Sequence, residues 1–460
     1  MDRVFVKYKK NIKKSALQQQ QMFELYLKHL LLDKVVLWVV IGMVVSFFYN
    51  LPVIKYSVKG DNEFRLYDVL GVLLFYHYYK YSYLINLTIK KIPVFNYLKY
   101  LLIWIIFGLV LTLFFSVVNS KITFFFQVFL YYYHFCVFYL GAVFLYLICI
   151  HPKRRKLFIQ LILVLSILSN IVVVLQNMNV IPFLWSKSYW DAYAFYSGTL
   201  GPNKIVLGMT ALFVLILSIG IALQNELKVN KLILFLSLIS NLYIVLLSGS
   251  RTSYVALGVF LAYFALRSTI RFVALGSIVG CIFFIVISFN SDLYDKLDDT
   301  LSNRVVAKMN NIEQERRGEF NELYEKLGSG RDRLTNGNIM YLIENPQIIP
   351  FGMGFVNRFT TAPGLSAHNM YLQVIKELGL VGFVLYFGWL IQYLFFKFKE
   401  KKGFSIALKG LVIAMLVTLY FGEHLYIYRP LFGILGLFLA ITSIFASVLH
   451  RVNTNLNEKI

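Results

Sequence analysis

Apolar runs of about twenty residues recur from Val35 to Leu449, divided by short polar or basic breaks. Each is long enough to cross a hydrocarbon core of roughly 30 Å as a helix. The runs are apolar all round, whereas membrane strands would be shorter and alternate apolar with polar positions. The pattern predicts spans near 34–51, 66–86, 98–118, 122–150, 157–176, 204–223, 231–248, 252–267, 272–289, 368–396, 405–421 and 430–449. The expected fold class is an all-α polytopic membrane protein of about twelve transmembrane helices.

One interruption, 291–367, is far longer than an ordinary helix connection, and loops of that length are usually functional. Its first half mixes charges with apolar positions such as Val305, Met309, Ile312 and Phe320, as in an amphipathic helix on a membrane surface. Gly328, Ser329 and Gly330 break it, and the second half, with Gly352, Met353, Gly354 and Phe355, reads as a folded lid.

Composition agrees with a lipid environment: 58% of residues are hydrophobic and the mean hydropathy is +0.67. The net charge of +22 points to a positive-inside signal rather than to nucleic acid. With a cytoplasmic N-terminus, alternation puts the basic clusters at 88–99, 153–156, 224–231, 267–271 and 397–402 all inside. The expected plan is a cytoplasmic segment 1–33, nine spans in 34–289, a long extracytoplasmic loop 290–367, three spans in 368–449 and a cytoplasmic tail 450–460. Cys136, Cys149 and Cys281 lie in apolar runs, which argues against disulfides and cysteine-rich metal sites. The basic, glutamine-containing N-terminal stretch does not resemble a cleavable signal, so the first span is expected to remain as an anchor.

Polar residues at the external ends of spans are the candidates for chemistry, since such groups near hydrocarbon are costly unless paired or used. His368 opens the tenth span at its water-facing lip, where an imidazole can take a proton from an attacking sugar hydroxyl; the alternative is a capping or interfacial histidine. Asn369, Gln373 and Glu377 follow at four-residue spacing on nearly one face, either lining a sugar cleft or bonding to neighbouring helices. Ser248, Gly249, Ser250 and Arg251 form a tight break that sets a helix N-terminus beside a guanidinium, suited to a diphosphate. A snorkelling arginine is the alternative there. Arg331, Arg333, Arg358 and Arg429 are further external arginines, with Glu423 and His424 beside the last. Neither a His-Glu-x-x-His pattern nor a tight external carboxylate pair is present, so no metal or cofactor is expected.

The order Gly-Pro-Asn from Gly201, Ser-Gly-Ser-Arg-Thr-Ser-Tyr from Ser248, Ser-Gly-Arg from Ser329, Gly-Met-Gly-Phe from Gly352 and His-Asn-Met-Tyr-Leu-Gln from His368, followed by Glu-Leu-Gly-Leu-Val-Gly, resembles the O-antigen ligase and Wzy-type polymerase superfamily across about residues 195–440. The resemblance implies a GT-C-like membrane bundle with one long extracytoplasmic loop. It also implies metal-independent, inverting transfer of a glycan from an undecaprenyl-diphosphate-linked oligosaccharide donor to an acceptor. His368 matches the family's base, Arg251 the arginine held to bind the diphosphate, and Arg331 the loop arginine. The tryptophan common a few residues later is missing between Asn336 and Met340, and Arg333 is a close substitute for Arg331. The implied setting is the bacterial plasma membrane, with both termini cytoplasmic and the site extracytoplasmic. Flippase and chain-length regulator proteins are the implied partners.

Within that family a polymerase extends a lipid-linked repeat unit, whereas a ligase uses another acceptor. Richness in Lys, Phe, Tyr and Ile hints at an AT-rich, Gram-positive source and so at capsule or exopolysaccharide polymerisation. A lipid-linked oligosaccharide flippase is the competing class; it would place polar groups at midspan, where His134 is the chief exception here. A noncatalytic assembly subunit is the third reading.

Overall fold

The computed structural model describes residues 18–55, 63–185, 190, 195–224, 229–274, 276–277, 331–357, 368–398, 402–425 and 433–449. The first helices are α1 (Gln18–Leu32), α2 (Lys34–Phe48), α3 (Leu66–Lys80), α4 (Ser82–Lys91), α5 (Pro93–Val118), α6 (Ile122–Cys149) and α7 (Pro152–Asn177). After these come α8 (Lys204–Ala222), α9 (Lys231–Leu247), α10 (Arg251–Arg267), α11 (Arg331–Glu344), α12 (Met370–Gln392), α13 (Lys402–Thr418) and α14 (Ile434–Ser447). Strands β1 (Pro52–Lys55) and β2 (Glu63–Arg65) pair antiparallel between α2 and α3. The local sequence sets many of the helix starts. Asp33, Asn203, Asn230 and Ser250 accept backbone N–H bonds as N-caps, and proline opens α5 and α7, where its missing N–H costs nothing.

Helices occupy each predicted stretch except the ninth, near 272–289, which falls mostly outside the described residues. Two stretches are not single rods. The second is interrupted at Tyr81 between α3 and α4, and the tenth is broken inside α12 at Gly379 (φ 67°, ψ −172°). Among the described residues five helices are long and apolar enough to cross a membrane unaided: α5, α6, α7, α8 and α12 with its continuation to Phe395. The pair α1–α2, bent by 71° at Asp33, is a sixth if taken as one span. Helices of 14 to 17 residues, such as α2, α9, α10, α13 and α14, reach only about 21 to 26 Å. They are near or below the usual spanning length.

The helix axes run between two ends. Gly403 at the start of α13 packs on Gly220 and Leu223 at the end of α8, and Phe404 packs on Phe445 near the end of α14. This end carries the basic residues Arg267, Arg271 and Lys402. The opposite end holds the Ser248–Arg251 turn, which lies on Gly208 in the second turn of α8. α8 and α13 run antiparallel, and eleven residues from Ala407 to Thr418 rise about as far as twelve from Gly208 to Gly220. The end of α13 is therefore level with that turn. Phe47 at the end of α2 meets Phe138 of α6 and Gly433 and Gly436 at the start of α14. From Phe138 back to Ile122, α6 continues about 24 Å along its axis past that level, paired with α5. The short helices thus end at a floor flanked by the taller α5–α6 hairpin.

His134 is a partnered core residue. Its Nε2 faces the Asp68 carboxylate, Tyr67 meets its ring edge-on, and the Tyr133 hydroxyl donates to the Asp68 carbonyl at 2.6 Å. Both members of the pair are buried, and together they fasten α3 to α6.

Candidate active site at a broken helix

Gly379 divides α12 into halves 370–378 and 380–392. In a straight helix Tyr371 and Phe387 would be about 24 Å apart. Here their rings stack at 4.3 Å with planes 4° apart, so the first half is bent back sharply beside the second. A break inside an apolar bundle exposes backbone groups that must find partners. The Gly-Met-Gly-Phe loop and the residues just before it supply most of them. Met353 N–H donates to Lys376 O at 3.0 Å, Gly354 N–H to Glu377 O at 3.1 Å, and Leu380 N–H to Ile349 O at 2.8 Å. Trp104 Nε1 of α5 donates to Leu378 O at 2.8 Å. The loop is fixed to α5 as well, through Phe355 N–H to Gly108 O at 3.1 Å and Thr112 Oγ1 to Phe355 O at 2.7 Å.

The three polar residues at four-residue spacing lie on the first half-helix and are buried. Asn369 is its N-cap, accepting from Tyr371 N–H at 3.0 Å and Leu372 N–H at 3.4 Å. Gln373 donates to one Glu377 carboxylate oxygen, and Val356 N–H donates to the other at 2.9 Å. Val356 has φ 52°, a genuine outlier for a β-branched residue, held in place by that charge-assisted bond and by burial. These side chains fasten the half-helix and its loop from within.

His368 immediately precedes the cap, is exposed, and has φ 49°. The adjacent Met370 N–H donates to Leu419 O at 2.9 Å, anchoring the start of the half-helix to the end of α13. His368 thus stands at the same end of the bundle as the Ser248–Arg251 turn. Strained backbone of this kind persists where surrounding contacts over-determine it, and it concentrates at functional sites.

Arg251 is exposed at the first position of α10, after Gly249 (φ 57°) and the cap Ser250. Ser250 Oγ accepts from Ser253 N–H at 3.4 Å and Ser248 Oγ donates to Val245 O at 2.7 Å. A Cβ at Gly208 would come within 2.7 Å of Ser248 Oγ, so glycine there lets the turn rest on α8. Arg331 and Arg333 fall in the first turn of α11, and Arg358 and Arg429 lie outside the described residues. Among the described residues no group of three His, Cys, Asp or Glu side chains is placed to hold a metal ion.

Sequence reasoning passes over Lys376. Its side chain is 1% exposed, its Nζ donates to Asn338 Oδ1 of α11 at 2.8 Å, and the carboxylates of Glu377 and Glu423 act on it through space. A lysine inside an apolar helix was the available signal.

His424, in the connection after α13, is also buried. Thr418 Oγ1 donates to Ala414 O and Met415 O, so His424 Nε2 is the donor in their 3.1 Å bond and Nδ1 carries a lone pair. Burial holds its pKa down at about 3. Between pH 6.5 and 3 the unfolded chain takes up a proton that the folded chain refuses, so stability falls as the pH drops through that window. By pH 5 the expected loss is about 2 kcal/mol. Melting in detergent at pH 7 and pH 5 checks this: His424→Gln should flatten the dependence, and an equal fall in both proteins counts against it.

Residues 232–387 match the family model described as O-antigen ligase (Wzy_C). The matched stretch contains Arg251, Arg331, Arg333, Arg358, His368 and the Gly-Met-Gly-Phe loop, and it bears out the resemblance carried by those motifs. With its apolar helices the chain is a multi-pass membrane protein, about a third of which, residues 232–387, is similar to the O-antigen ligase family. No curated protein matches the chain.

Proposed function

We propose that this protein is a polysaccharide polymerase of the extracytoplasmic membrane face, transferring a growing glycan from polyprenyl diphosphate to a lipid-linked repeat unit. The observation that carries the reading is His368: an exposed imidazole on strained backbone, level with the arginine turn, inside the matched family domain. In the reaction, His368 takes the proton of the acceptor hydroxyl as its oxygen attacks the anomeric carbon with inversion. The bond from that carbon to the diphosphate oxygen breaks, and polyprenyl diphosphate leaves with the electron pair. Arg251 and the first turn of α11, with Arg331 and Arg333, offset the charge on the leaving group. Arg358 and Arg429 are assigned to the same external cleft, and Asn369, Gln373 and Glu377 shape its wall by holding the half-helix. No metal takes part. The bundle is of the GT-C kind in the plasma membrane, working beside a flippase and a chain-length regulator.

Purified protein in liposomes, given undecaprenyl-diphosphate-linked repeat units and chelator, is expected to produce a ladder of lengthening glycans. A single transfer to a different acceptor, with no ladder, would favour the ligase reading that the family domain equally supports. No transfer by folded protein from a verified donor and acceptor would overturn the enzyme and leave the flippase.

A further inference from the structure

Lys376 lies where three segments meet. Its backbone carbonyl accepts from Met353 of the Gly-Met-Gly-Phe loop at 3.0 Å, and its ammonium donates to Asn338 of α11 at 2.8 Å. Glu423, on the connection after α13, supplies compensating charge together with Glu377. The Asn338 amide is already oriented: its Nδ2 donates to Leu334 O at 2.7 Å, which turns Oδ1 toward the lysine. Asn338 is 2% exposed, so the contact is closed off from bulk solvent. A buried ammonium is expensive in a bundle of this kind, and an apolar side chain would fill the space more cheaply if packing were its only role.

The tie has a definite geometric effect. Asn338 is seven residues, about 10 Å, along α11 from Arg331, and Lys376 is eight residues, about 12 Å, along the chain from His368. One polar contact therefore sets the helix that carries Arg331 and Arg333 against the half-helix that follows His368. We propose that Lys376 is a positioning residue: through Asn338 it holds the arginine turn of α11 in register with His368, so that donor diphosphate and base share one frame. This role presupposes the transfer reaction proposed above. Neither residue touches substrate.

The test is donor binding, measured with a lipid-linked repeat unit whose acceptor hydroxyl is blocked, so that turnover does not intervene. Lys376→Met and Asn338→Leu are each expected to weaken binding by folded protein about tenfold. The double variant should be no weaker than either single one, because both remove the same contact. Asn338→Asp, which keeps an acceptor for the ammonium but loses the bond to Leu334 O, should bind more tightly than Asn338→Leu. A purely structural role would lower folded yield and melting temperature but leave the Kd of the folded fraction unchanged. Binding within twofold of wild type in both Lys376→Met and Asn338→Leu overturns the role. If Lys376→Met does not fold, the Asn338 pair decides alone. Wild-type protein that binds no donor overturns the reaction and the role together.

Discussion

His368→Ala should lower the rate of glycan transfer by about 10²- to 10⁴-fold at saturating donor, the usual contribution of a positioned general base. The donor KM should change little, since the diphosphate is assigned to Arg251 and the arginines of α11. The geometry makes this substitution informative. His368 precedes the Asn369 cap, and the bond from Met370 N–H to Leu419 O, which fixes the start of the half-helix, belongs to the backbone and survives the change. Alanine at φ 49° adds modest strain and leaves the buried Gln373–Glu377–Val356 contacts in place. The variant should therefore fold, and a thermal melt beside the rate measurement verifies that. Transfer at the wild-type rate by the folded variant would remove His368 from the mechanism.

Gly352→Ala should damage the protein through its fold. Gly352 has φ 79°, and a Cβ there would collide with the Glu377 carbonyl and lie 2.6 Å from Leu378 N. These atoms are backbone at the break in α12 and cannot rotate away. Left-handed backbone for alanine costs about 1–2 kcal/mol, and forcing an extra methyl into a packed site about 1–3 kcal/mol more. The neighbouring bonds from Met353 and Gly354 that satisfy the broken helix would be strained at the same time. The expected result is a melting temperature several degrees lower or loss of the monodisperse peak on size-exclusion chromatography. Gly379→Ala should behave alike, because its Cβ would lie 2.5 Å from Phe351 N at φ 67°. Gly258→Ala, on the open face of α10 with no atom within 4 Å, should not. Melting of Gly352→Ala within about 2 °C of wild type would sink the account of the loop as the support of the break.

Several features were legible before any coordinates. Runs of apolar residues marked the helices from α2 to α14 except α11, which lies in the stretch that reads as a long loop. Ser248–Arg251 reads as a turn opening a helix and is one, whereas Gly352–Phe355, which reads as a folded lid, is folded but bonded to the break in α12 and to α5. The four-residue spacing of Asn369, Gln373 and Glu377 did put them on one half-helix, although their bonds run to backbone and to each other. Length and apolarity describe α12 as a single crossing, while the stacking of Tyr371 on Phe387 requires a sharp bend.

The sequence by itself determined the solvent, the helical class and the resemblance to the O-antigen ligase family, because hydropathy is summed residue by residue and motif order survives without coordinates. Only the tertiary structure decided that Gly379 breaks a helix, that Lys376 is a buried lysine tied to α11, and that His134 is a paired core residue. A glycine at φ > 0 is indistinguishable in sequence from one packed inside a helix. A buried polar group is interpretable only once its partners are known, and here they come from Asn338, Met353 and Asp68, each far away along the chain.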